Sequence, residues 1–169
     1  MRVEFETNGP SINEGAVTAF EATLPRPLPS DYRTFLLTHN GGHLAPNWWP
    51  PEVSDADFGA HDFYSLGDVG HDSLHWIRET FSGRIPAHLL VIGDDANGNQ
   101  LCLSLDQSEH GRIYFFDHER ELDDDYPPDP KLFTAIAESF TELLATLEPE
   151  PSEEEMLRRV RHARPELDI

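Results

Sequence analysis

The sequence holds one cysteine, Cys102. No disulfide framework is possible, and its place inside an alternating apolar run points to a buried structural thiol rather than a reactive one. No apolar run approaches the eighteen residues that a membrane-spanning helix needs, and the amino terminus has no basic stretch followed by an apolar one, so the cytosol is the expected location. Positive charge is scarce: Lys and Arg number 12 against 32 Asp and Glu, a formal charge of −20. Such a surface repels bare nucleic acid, whose binding depends on basic side chains that displace phosphate counterions. It attracts a basic partner.

Catalytic motifs are equally scarce. Ser, His and Asp are present, but no GxSxG elbow places them as a triad, and neither a phosphate-binding loop nor a cysteine pair occurs. "HDSLH" has His71 and His75 four apart, like the zinc-binding HExxH, yet its second position is Asp72, which suits a helix cap better than a general base. A metal-dependent hydrolase built on His71, His75 and a carboxylate is therefore the weakest reading. The expectation is a protein with no catalytic residue, no metal and no cofactor.

What the chain does contain is one domain's worth of patterned elements: 169 residues with 38% hydrophobic suit a single core. Ser11 and Glu14 have the form of a capping box, and Ile12, Ala16, Phe20 and Leu24 follow at helical spacing, which predicts a helix over 12–24. Prolines end it. Ser30 opens a second helix with Tyr32, Phe35 and Leu36 as its stripe, closed by Asn40-Gly41-Gly42. Residues 43–60 carry three prolines with Trp48 and Trp49 and follow neither period, so they read as a long ordered loop.

Phe63, Tyr64 and Leu66 suggest a short strand. Asp72 would cap a helix to about 82, with Leu74, Trp76, Ile77 and Phe81 as its apolar members. "HLLVIGDD" and the alternating Leu101, Leu103 and Leu105 flank Asn97-Gly98, a pair suited to a type I′ hairpin turn that leaves Asp94 and Asp95 facing solvent. An EF-hand reading of this loop fails, because counting back from Gly98 puts Gly93 at the first ligand position. "GRIYFFD" reads as a third strand. Leu132, Ile136, Phe140, Leu143, Leu144 and Leu147 predict the longest amphipathic helix, over 131–147. A tail over 148–169 then has an apparent capping box at Ser152 and Glu155 and several arginines.

Seven of the 32 acids and four of the 12 bases fall in that tail, leaving 25 against 8 in the body, a net −17. The densest stretch, 106–129, has nine acids and two arginines. Asp117, Glu119, Glu121, Asp123, Asp124 and Asp125 belong to it, and with no nucleophile beside them they form a field rather than a catalytic pair.

The order of features resembles the SMI1/KNR4 or SUKH superfamily over about 12–147. "FEATLPRPLPSDYRTFLLTHNGG", "DFYSL", "IPAHLLVIGDDANGNQLCLSL", "GRIYFFDHE" and "SFTELLATL" follow one another as in that family. The most specific parts are Leu28-Pro29-x-Asp31-Tyr32 with Asn40-Gly41-Gly42, and the hairpin from Ile92-Gly93 to Leu101-Cys102-Leu103. The resemblance implies one α+β domain, 1–147, with a small, mostly antiparallel sheet packed on helices, followed by the 148–169 tail. It implies no catalytic residues, and a role like that of many bacterial members: an immunity protein that binds and neutralises a cognate toxin. A non-enzymatic scaffold or regulator is the alternative the resemblance also admits. Joined to the charge, it implies a basic, nuclease-type toxin, with Asp94, Asp95 and the 117–125 acids guiding encounter and Trp48 or Trp49 anchoring the complex. Direct nucleic-acid or membrane binding is not expected.

Overall fold

In chain order the elements are β1 (Glu4–Phe5), α1 (Glu14–Glu21), α2 (Ser30–Thr38), β2 (Leu44–Ala45), β3 (Ala60–Phe63), α3 (Leu74–Thr80), β4 (Leu89–Asp95), β5 (Gln100–Ser104), β6 (Ile113–Phe116), β7 (Phe133–Ala137) and α4 (Phe140–Ala145). Short 3-10 turns lie at Gly70–Asp72, His118–Arg120 and Pro130–Leu132. The computed structural model describes residues 4–45, 47–48, 60–67, 70–95, 97–121, 128–149, 152, 154, 155 and 158.

β3 to β7 form one antiparallel sheet in sequence order, and β1 pairs with β2 in a separate two-stranded ribbon. The α+β class expected from the sequence is the class observed. Leu90, Leu103 and Ile113 stand in register across β4 to β6, as do Val91, Cys102 and Tyr114. Adjacent residues of a strand point to opposite faces, so these rows lie on opposite sides. Every position of β5 is buried, so both faces are covered.

On one face, Phe63 meets Phe140 of α4 and Phe35 of α2 at ring-centroid distances of 5.3 and 5.5 Å. On the other, Phe81 at the end of α3 meets Phe116, which packs on Phe133. Cys102 is fully buried on this second side, and burial pushes its thiol pKa well up. It is the inert structural thiol expected.

Local capping departs from the expectations. The helix placed at 12–24 starts at Glu14, and its cap is Asn13, whose Oδ1 accepts from Ala16 N at 2.9 Å. α3 is capped by Ser73 rather than Asp72. The 131–147 helix is corrected outright: Phe133–Ala137 is an edge strand on β6, and only Phe140–Ala145 is helical. Apolar residues at spacings of three and four imitate a helix there, but Ser139 interrupts them with extended backbone and caps α4 through Glu142 N. Two short pairings also occupy the stretch taken for loop. β2 pairs with β1, and Trp48 exchanges backbone hydrogen bonds with Glu148. In the tail, Glu155 N donates to Ser152 Oγ at 3.3 Å, the capping contact expected.

Candidate functional site

The β4–β5 tip holds the first candidate acids. Gly98 N donates to Asp95 O, closing the turn one residue earlier than an Asn97-Gly98 centre would, and Gly98 has φ 89°, a conformation open to glycine. Asp95 is only 4% exposed. Its carboxylate accepts from Asn97 N (2.9 Å), Asn99 N (2.8 Å) and Asn99 Nδ2 (2.8 Å). Asn99 Oδ1 in turn accepts from His118 N, and His118 Nδ1 lies 2.8 Å away. The expectation of two solvent-facing carboxylates is thus corrected: Asp95 is consumed inside the turn, satisfying backbone donors that a tight hairpin would otherwise bury unpaired.

Asp94 is half-buried on the side of Tyr64. Asp62 N donates to its Oδ1 at 3.3 Å. Tyr64 OH donates to Gln100 Oε1 at 2.9 Å, and burial first, then the Asp94 charge, drives the phenol pKa well up. The hairpin tip is therefore a braced polar knot. It offers rigidity rather than a reacting group.

The 106–129 acids are partly neutralised where they are described. Asp117 caps the 118–120 turn by accepting from Glu119 N and pairs with Arg120 Nε at 2.9 Å. Glu121, 16% exposed, takes Arg84 Nε at 3.0 Å. Glu119 is exposed. Asp123, Asp124 and Asp125 lie outside the described residues, as does Trp49. The arginines are similarly engaged: Arg33 pairs with Glu14 and Glu21, and Arg112 with Glu109 and Glu138.

The histidines of "HDSLH" are separated by their packing. His71 stacks on Trp76 with ring centroids 4.5 Å apart, whereas His75 meets Phe20 edge-on at 5.1 Å. Among the described residues no group of three or more His, Cys, Asp or Glu side chains is placed to hold a metal ion. Trp48 is half-buried, and its indole Nε1 is buried with no hydrogen-bond partner among the described residues.

Sequence reasoning also misplaced Trp76, assigned there to the apolar stripe of its helix. It is 40% exposed, the exposed large hydrophobic side chain among the described residues. The signal was available. Leu74, Ile77 and Phe81 follow the three-and-four spacing of one face, and Trp76 sits about 200° round from Leu74. Beside α3 a groove of about 620 Å³ opens toward β4, lined by Arg78, Phe81, Ile85, Leu89, Val91 and Pro128.

No helix among the described residues is long and apolar enough to cross a membrane. The chain is similar to the SPbeta prophage-derived uncharacterized protein YokK of Bacillus subtilis (strain 168), 32% identical over an alignment 162 residues long, gaps included; the match covers 85% of this chain and 79% of the relative. The profile of the SMI1 / KNR4 family (SUKH-1) matches residues 11–146, from just before α1 to the end of α4. The matched stretch contains all five strands of the sheet and the helices on both of its faces, so the whole folded body, and not one motif, carries the assignment: the chain belongs to the SMI1 / KNR4 (SUKH-1) family.

Proposed function

We propose that this protein is an immunity protein: it binds one cognate bacterial toxin, basic and nuclease-type, and neutralises it by covering its active surface. The observation that carries this reading is the family match across the folded body. Two further facts support it. The chain's charge of −20 suits a client whose own surface evolved to hold phosphates. The similar Bacillus protein is named as prophage-derived, a setting in which a protective binding protein is at home.

Neutralisation of this kind converts no substrate and uses no cofactor. Complementary charge accelerates encounter and excludes wrong partners, while a few desolvated aromatic contacts set the lifetime of the complex. The protein acts in the cytosol of the cell it protects.

The test is co-expression. A toxic domain, sought first in the genes adjacent to that of this chain, is induced in a heterologous host, with and without the chain. Restored growth together with a co-purifying stoichiometric complex supports the proposal. Unrelieved toxicity at matched expression removes it.

A further inference from the structure

Trp76 stands out from every other described side chain by being large, apolar and exposed. A lone exposed apolar residue carries no meaning by itself. This one is held in place. Its backbone N donates to Ser73 Oγ and its carbonyl accepts from Thr80 Oγ1 at 2.9 Å. Leu74 and Ile77 bury the opposite face of α3. Ser65 N donates to Asp72 O and Leu74 N to Ser65 O, each at 2.9 Å, tying the start of the helix to the end of β3. The His71 imidazole then lies against the indole at 26° between planes. An aromatic side chain fixed in this way loses little conformational freedom on binding.

The exposed carboxylates near it in sequence form no ion pair with a base among the described residues, and the basic residue of α3 is held elsewhere. Glu79, exposed and three residues after Trp76, lies near its face of the helix; Asp72, exposed too, follows His71 in the 3-10 turn that precedes Ser73. Arg78, the basic residue of α3, is turned away. Its Nη1 donates to Thr23 Oγ1 at 3.0 Å and its Nη2 to Thr23 O at 3.3 Å. His75 is occupied against Phe20.

We propose that Trp76, with His71 stacked on it and Glu79 near its face of α3, is the anchor that seats an arginine-bearing surface of the toxin. A guanidinium is the group that stacks on an indole and also makes paired hydrogen bonds to a carboxylate. A second copy of this chain would bring like acids together and another net −20 with them, which disfavours self-association through this face. The proposal rests on the immunity reading and names the patch that performs it. Of Trp48 and Trp49, the two anchors the sequence offers, Trp48 is tied to Glu148 through its backbone and Trp49 lies outside the described residues.

The experiment uses the purified toxic domain from the co-expression test as probe, with binding followed by biolayer interferometry. Trp76→Ala lowers affinity about 30-fold or more, mostly through faster dissociation, while Trp76→Phe keeps much of the binding. Asp72→Asn combined with Glu79→Gln slows association several-fold. Wild-type binding with Trp76→Ala within about threefold of it overturns the anchor and leaves the immunity reading standing, whereas a wild-type chain that fails to bind sinks both. Hydrogen exchange on the wild-type complex gives a readout that needs no variant to fold: protection of residues 71–80 is expected, and unchanged exchange there contradicts the proposal. A dimer in sedimentation that Trp76→Ala dissolves would assign the face to self-association and also overturn it.

Discussion

Asn40 and Leu66 are joined through both backbone groups of Leu66: its N–H donates to Asn40 Oδ1, and Asn40 Nδ2 donates to its carbonyl, each at 2.8 Å. Among the described residues Asn40 is also the non-glycine residue with positive φ, 54°, and its amide reaches Pro10 O at 2.7 Å. One side chain thus ends α2, holds the segment before α1 and fixes the chain leaving β3.

Asn40→Ala should cost about 3 kcal/mol, because it leaves buried backbone groups unpaired and strains the left-handed backbone. Asn40→Gly should recover only the backbone part. Urea denaturation with the slope unchanged checks both, and equal stability of the glycine variant and wild type would show that the side-chain bonds contribute nothing.

Asp31 joins two helices that are 110 residues apart. Its Oδ1 accepts from Tyr32 N at 2.8 Å and its Oδ2 from Thr141 N, in the first turn of α4, at 2.9 Å. Asp31→Ala should destabilise by about 1–2 kcal/mol, the size of a lost helix cap with a favourable charge. Thr141→Ala, which keeps the backbone donor, should cost less; the two midpoints in one denaturation series decide it.

His39 stacks on Phe5 at 3.9 Å and lies 5.9 Å from Phe35, with Nδ1 2.8 Å from Asn8 Oδ1. Burial lowers its pKa below the ordinary histidine value. The unfolded chain therefore binds this proton more readily than the folded one, and stability at this site is complete above about pH 6.5 and falls as pH drops below it. Melting curves from pH 7.5 to pH 5 should show a steeper loss for wild type than for His39→Gln. Parallel curves would contradict the assignment.

Trp48 Nε1 is a buried donor without a described acceptor. Trp48→Phe removes that donor and keeps an aromatic ring, so it should change stability by less than about 1 kcal/mol, against about 3 kcal/mol for Trp48→Ala. Chemical denaturation of the pair separates packing from hydrogen bonding.

The sheet was legible because β4 and β6 are short continuous apolar runs and β5 alternates Leu101, Leu103 and Leu105, with Asn97-Gly98 and Gly111 marking the turns between them. The end of the body was not. Ile136, Phe140, Leu143 and Leu147 satisfy a helical period by accident of spacing, and only the extended φ of −156° at Ser139 and the pairing with β6 reveal the strand before α4. The family motif was visible as letters, and its physics appears only in three dimensions: Asp31 holds α4, Tyr32 packs edge-on against Phe140, and Asn40 holds Leu66. The acids at the hairpin tip were legible as charge, but whether a carboxylate faces solvent or caps its own turn depends on where the turn closes. Trp76 was legible as an apolar residue and illegible as an exposed one until the stripe beside it was complete.

The central claim is that an acidic exterior guides a cationic client. The most direct measurement is the association rate constant with the purified toxic domain, by stopped flow, across a salt series from roughly 50 to 500 mM. The rate should fall at least about tenfold over that range, and reversing Asp123, Asp124 and Asp125 to lysine should lower it at low salt and flatten the dependence. A rate indifferent to salt, with wild type and the reversed variant alike, would contradict the account.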